Sequence, residues 1–163
     1  MKPPYLLFAF ALFIFSCSND NDEGPTLKIT PEQIELLHNG SEKTWRVAQV
    51  YRDYNYSRLD DMKPCIEDDT YTFFADSNEV RMNMGEKSCF YEDPDEQATT
   101  LTFTYYPEEG QAYLDHGRAE AKDNTSSAIL YILELEEISE NRLFFANGKE
   151  GNWGRVLILE AID

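Results

Sequence analysis

Apolar and polar residues take turns along this chain with a period of two, in short stretches separated by turn-forming residues. The clearest stretch sets Leu101, Phe103 and Tyr105 against Thr100, Thr102 and Thr104. Successive side chains of a strand point to opposite faces, so the pattern is that of a strand with one buried face. The same period runs from Lys43, with Trp45, Val47, Gln49 and Tyr51 on one side and Arg46, Ala48, Val50 and Arg52 on the other. It returns at 70–75, 79–84, 111–115, 127–138, 142–146 and 153–162. Asp76-Ser77-Asn78, Pro107-Glu108-Glu109-Gly110 and Ser139-Glu140-Asn141 supply turns between neighbours. About eight antiparallel strands follow, and their edges have to be hidden. Eight up-and-down strands that close on themselves leave an interior wide enough for packed side chains or one small ligand. The expected fold is therefore all-β, an eight-stranded antiparallel up-and-down barrel over residues 30–163. One short N-terminal helix precedes it, with Thr30 as N-cap, Pro31 at the first helical position and Asn39-Gly40 as the stop.

The start of the chain reads differently. Lys2 and an apolar run over 5–15 are too short to span a bilayer core, which needs about 20 residues, and fit a cleaved signal peptide over 1–16. The sequence Ile14-Phe15-Ser16-Cys17 resembles the lipobox of bacterial lipoproteins. That resemblance implies acylation of Cys17 and membrane attachment, at about 0.8 kcal/mol per buried CH₂. Residues 17–29 then form the lipidated cysteine and an acidic tether, Ser18-Asn19-Asp20-Asn21-Asp22-Glu23. The acidic run resembles the surface-export signal of Bacteroidota lipoproteins, which implies display on the outer face of the outer membrane. Its carboxylates lack the spaced twelve-residue pattern of a calcium loop. Cys65 and Cys89 remain as an even pair in a chain that leaves the reducing cytoplasm, and a structural disulfide worth about 3 kcal/mol is expected.

Charge and composition narrow the function. With 31 acidic against 14 basic residues and a net charge of −17 in 163 residues, the chain repels phosphate backbones, so nucleic-acid binding is excluded. Two histidines and three cysteines leave little material for a zinc cage or a catalytic triad. Asp115-His116, just before Gly117, reads as a solvated turn. The acidic groups at 60–61, 67–69 and 92–96 fall in expected loops, where charge serves solvation better than the paired-carboxylate chemistry of glycoside hydrolysis. No catalytic residue, metal or cofactor is assigned, and the chain is read as a binder and not an enzyme.

Three features then coincide: the lipobox, the segment Leu37-His38-Asn39-Gly40-Ser41-Glu42-Lys43-Thr44-Trp45 entering the first strand, and Cys65 ahead of Asp68-Asp69-Thr70-Tyr71-Thr72-Phe73 with Cys89 downstream. Together with Tyr131-Ile132-Leu133-Glu134-Leu135 and Asn141-Arg142-Leu143-Phe144-Phe145, they resemble the lipocalin-like lipoproteins of Bacteroidota. The resemblance implies a lipocalin-like barrel in which Trp45 plugs the closed end and Arg155, on the last strand, lies over it. A small, partly apolar ligand would then meet Tyr71 and Phe73 on one strand, Met82 and Met84 on the next, Phe103 and Tyr105 on a third, and Tyr131 beyond. Flexible methionine and amphipathic tyrosine suit such a pocket, and equally suit a filled core. A second reading places the function outside the barrel. Tyr51, Tyr54 and Tyr56 with Arg52 and Arg58 would be an interface for a protein partner in an outer-membrane complex, with no small ligand.

Overall fold

The computed structural model describes residues 27–60, 63–87, 98–122 and 125–162. The signal peptide, Cys17, most of the tether and Cys89 lie outside the described residues. Chain order is α1 (Pro31–His38), β1 (Glu42–Asp53), β2 (Arg58–Leu59), α2 (Lys63–Ile66), β3 (Thr70–Phe74), β4 (Glu79–Asn83), β5 (Ala98–Tyr106), β6 (Gln111–Lys122), β7 (Thr125–Ile138), β8 (Arg142–Lys149) and β9 (Asn152–Ala161). Each strand from β3 onward pairs antiparallel with the next, β3 pairs with β1, and β9 returns to β1. The result is a closed eight-stranded antiparallel barrel, as the alternation predicts. Among the described residues no helix is long and apolar enough to cross a membrane.

One barrel end is built around α1. Thr30 and Gln33 form a reciprocal capping box, and Asn39 (φ 51°) and Gly40 (φ +78°) end the helix in the left-handed region. Leu37 buries fully and its carbonyl accepts the indole N–H of Trp45 at 2.9 Å. Ile29, 1% exposed, crosses the same end, its N–H donating to the Gly110 carbonyl at 2.9 Å and its own carbonyl accepting the Tyr105 hydroxyl at 3.1 Å. The helix and the residues before it thus cover the bottom of the cylinder.

Strand β1 departs from strict alternation. Its register against β9 shifts between Val47 and Gln49, so Val47 and Val50, both buried, face the same interior. A bulge inserts one residue and swaps the faces beyond it. Tyr51, expected beside Trp45, instead turns outward into a second apolar cluster with Phe144, Ala146, Val156 and Ile158. Tyr54 joins it, edge-on to Tyr51 at 5.1 Å and to Phe144 at 5.3 Å, and its N–H donates to the Gly154 carbonyl at 2.8 Å. The β1–β2 excursion therefore lies over the outside of β8 and β9, which is why those two strands are apolar on both faces.

Strand β6 also runs past its expected end. The turn anticipated at Asp115-His116-Gly117 does not form: His116 pairs with Tyr131 and the ladder continues to Lys122. Ala112, Leu114 and His116 share one inward face, and the alternation simply persists through the glycine.

Replacing Trp45 with Phe leaves the Leu37 carbonyl unmet and opens a void at the base. Urea unfolding is expected to show a loss of about 2–4 kcal/mol.

Candidate functional site

The middle of the barrel is filled. Trp45, Tyr71, Met82, Leu114, Leu135 and Phe145 are all 0% exposed, so none borders a space that a water molecule could enter. Phe73 stacks parallel to Phe145 at 6.3 Å and meets Phe103 edge-on at 5.6 Å. Among the described residues, open space lies toward the ends of the barrel and not in this middle layer.

At the α1 end a cleft of about 290 Å³ opens between the helix, the β3–β4 turn and β5. Its floor is apolar, from Ile34 and Leu37 on α1, Phe73 and Val80 on the hairpin, and Phe103; its rim carries Tyr105, His38 and the turn residues Asp76 to Glu79. The helix packs against β1, β3 and β7, and the space lies between it, the β3–β4 turn and β5. Burial, and then the Glu32 carboxylate, push the Tyr105 phenol above its usual pKa, so Tyr105 stays a neutral hydrogen-bonding group.

At the other end a polar file descends from the mouth. The Arg155 guanidinium lies 3.8 Å from the Tyr131 ring centroid and pairs with the buried carboxylate of Asp60. Tyr131 stacks on His116 at 6.2 Å, and His116 Nε2 shares a 2.7 Å hydrogen bond with the Tyr71 hydroxyl. Burial pulls His116 down to about 4, so the imidazole is neutral at physiological pH, while burial drives the Tyr71 phenol up. Burial first, and Arg52 second, lower Arg155 from its ordinary value. Neutral imidazole against neutral phenol is a satisfied structural pair with no proton poised to move near neutral pH.

Comparison with protein-family models, with curated proteins and with solved structures finds no match to this chain. The site therefore rests on its own geometry.

That geometry divides the residues expected to meet a ligand. Phe73, Phe103 and Tyr105 line the cleft at the α1 end. Tyr71 and Met82 are sealed in the filled middle, Met84 is buried toward the mouth, and Tyr131 is half-buried beneath Arg155. Trp45 lies at the α1 end, buried and capped by helix. Arg155 does not lie over it. Trp45 pairs with Ala161, whereas Arg155 stands at the opposite end of β9, roughly 20 Å along the strand at 3.3 Å per residue. The cation over Trp45 is Lys43, its Nζ 4.0 Å from the ring, and burial there lowers the Lys43 pKa.

Two carboxylates expected as solvated loop charges are buried. Asp60, 7% exposed, holds Arg155, and Asp69, 0% exposed, accepts the Gly85 N–H at 3.3 Å while its carbonyl accepts the Val47 N–H at 3.2 Å. Asp69 thereby ties the corner before β3 to the β1 bulge. Their burial and that of His116 leave no local mark in the residues: the carboxylates sit in acidic runs, and the Gly after His116 imitates a turn.

Two outcomes follow from these polar groups. Asp60→Asn strands the Arg155 charge in a largely buried position, and unfolding is expected to show about 3 kcal/mol less stability. The His116 pKa is depressed, so the unfolded chain takes up this proton first. Its contribution is full above about pH 6.5, shrinks as pH falls toward 4, and amounts to about 3 kcal/mol. Denaturation of His116→Gln and the parent across pH 4–7 is expected to show a shallower slope for the variant. Equal slopes would place the imidazole in water.

Proposed function

We propose that the protein is a non-catalytic, lipocalin-like lipoprotein that holds a small, partly apolar molecule reversibly at the α1 end of its barrel. The observation that carries this reading is the cleft itself, which opens beside the buried Phe73 and Phe103, 2% and 8% exposed, under a rim of Tyr105 and turn residues. Its volume stands at the lower edge of small-molecule sites, about 300–1,000 Å³, which suits a fragment-sized ligand. Affinity is then modest, about −4 to −8 kcal/mol or millimolar to micromolar dissociation constants. Release and recapture on such a scale fit a carrier or sensor better than a storage protein.

Anchorage belongs to the same reading. The lipobox-like Ile14-Phe15-Ser16-Cys17 and the acidic run behind it support attachment through Cys17 and display on the outer membrane surface. A Cys65–Cys89 disulfide would fix the corner at α2, where Cys65 is buried.

A partner-binding reading is favoured by one observation. The excursion that half-buries Tyr54 leaves Tyr56 79% and Leu59 45% exposed, and Arg58 between them in the chain is exposed as well. Crosslinking from Tyr56 in intact cells that captures one defined protein would support it.

Native mass spectrometry of the protein incubated with a small-molecule extract of its host is expected to show a bound small molecule that is lost from Ala75→Trp, a substitution at the exposed lip of the cleft. Ligand retained by that variant would place the site elsewhere. Cys17→Ala is expected to move the protein from the membrane to the soluble fraction with its unfolding curve unchanged. Continued membrane residence would remove the lipid anchor.

A further inference from the structure

The cleft has a charge as well as a shape. Two acidic residues, Asp76 and Glu79, line it together with His38, and among the described lining residues there is no lysine or arginine. A third carboxylate, Glu32 on the first turn of α1, is near enough to Tyr105 to raise its phenol pKa. The Arg81 guanidinium lies 5.1 Å from the ring of Phe74, itself a lining residue, and Arg81 is not among the lining residues. Beneath this acidic rim the floor is aromatic, from Phe73 and Phe103. Aromatic rings give an apolar body a surface to pack on, and carboxylates at the rim add Coulomb attraction to a cation held between them. The net charge of −17 on the whole chain raises the local concentration of cations and lowers that of anions.

We propose that the ligand is a small organic ammonium, an amine with an aromatic or branched aliphatic body. The apolar body fills the floor against Phe73, Val80 and Phe103, and the ammonium projects toward Asp76 and Glu79. An anionic ligand of the same shape would bring its charge against that rim. This inference rests on the cleft being a ligand site, and it adds the sign of the ligand's charge.

The test compares three probes of one shape, 2-phenylethylamine, 2-phenylethanol and 3-phenylpropionate, titrated into the folded protein at pH 7 and low salt while backbone amide shifts are recorded. Shifts at Phe73, Phe103 and Tyr105 with the ammonium bound about three- to tenfold tighter than the alcohol, and the carboxylate weakest, are expected. Asp76→Asn with Glu79→Gln, both at exposed turn positions, is expected to remove the ammonium's advantage and leave the alcohol unchanged. Added salt is expected to act in the same direction. If the three probes perturb the cleft but bind equally, or in the reverse order, the ammonium assignment is overturned while the cleft remains a binding site. If no probe perturbs the cleft, the site itself is wrong and the assignment goes with it.

Discussion

The ladder between β1 and β9 is the interaction on which everything else in this molecule depends. Without it the sheet has two long exposed edges, and the apolar faces of β8 and β9 have nothing beneath them. With it the inward residues of eight strands converge, and Trp45, Leu159, Leu143 and Phe145 become fully buried. The bulge after Val47 belongs to the same closure. It lets one strand place Trp45, Val47 and Val50 inside while sending Tyr51 out to the cluster on β8 and β9. One long strand thereby serves two cores.

Closure on this scale leaves little room. An eight-stranded cylinder packs its own side chains across the axis, and here the Phe73–Phe145 stack and Met82 occupy the centre. Open space among the described residues is pushed to the ends. At the mouth, Arg155 lies against Tyr131 and His116 bonds Tyr71, with Asp60 balancing the Arg155 charge that burial makes costly. At the helix end, α1 covers Trp45 and packs on β3 but leaves a gap toward the β3–β4 turn and β5. The asymmetry of one eight-residue helix over a round opening is what produces the cleft.

How much of this could be read in the residues varied with the signal. Thr100 to Tyr105 announced β5 because its outer face is threonine and its inner face is not. Thr30, Pro31, Asn39 and Gly40 marked both ends of α1 because capping chemistry is local. The β1 bulge was illegible, since a one-residue insertion depends on which strand lies opposite. His116 was hidden by the glycine after it, and Asp60 and Asp69 by their acidic neighbours; burial of a carboxylate is decided by a distant partner, Arg155 in the one case and the Gly85 amide in the other. Phe73, Phe103 and Tyr105 were visible as inward residues. That they alone of the expected seven reach the cleft follows from where the helix lies, which alternation does not encode.

Native-state hydrogen exchange on β1 and β9 tests the closed barrel most directly. Amides from Arg46 to Val50 and from Leu157 to Glu160 that lie in the β1–β9 ladder are predicted to exchange only through global unfolding, with the same free energy as the amides of β3 and β8. Exchange of β1 and β9 through a smaller opening, well ahead of the other strands, would mean that the cylinder has a seam, and the account of a filled middle with a site at its end would not stand.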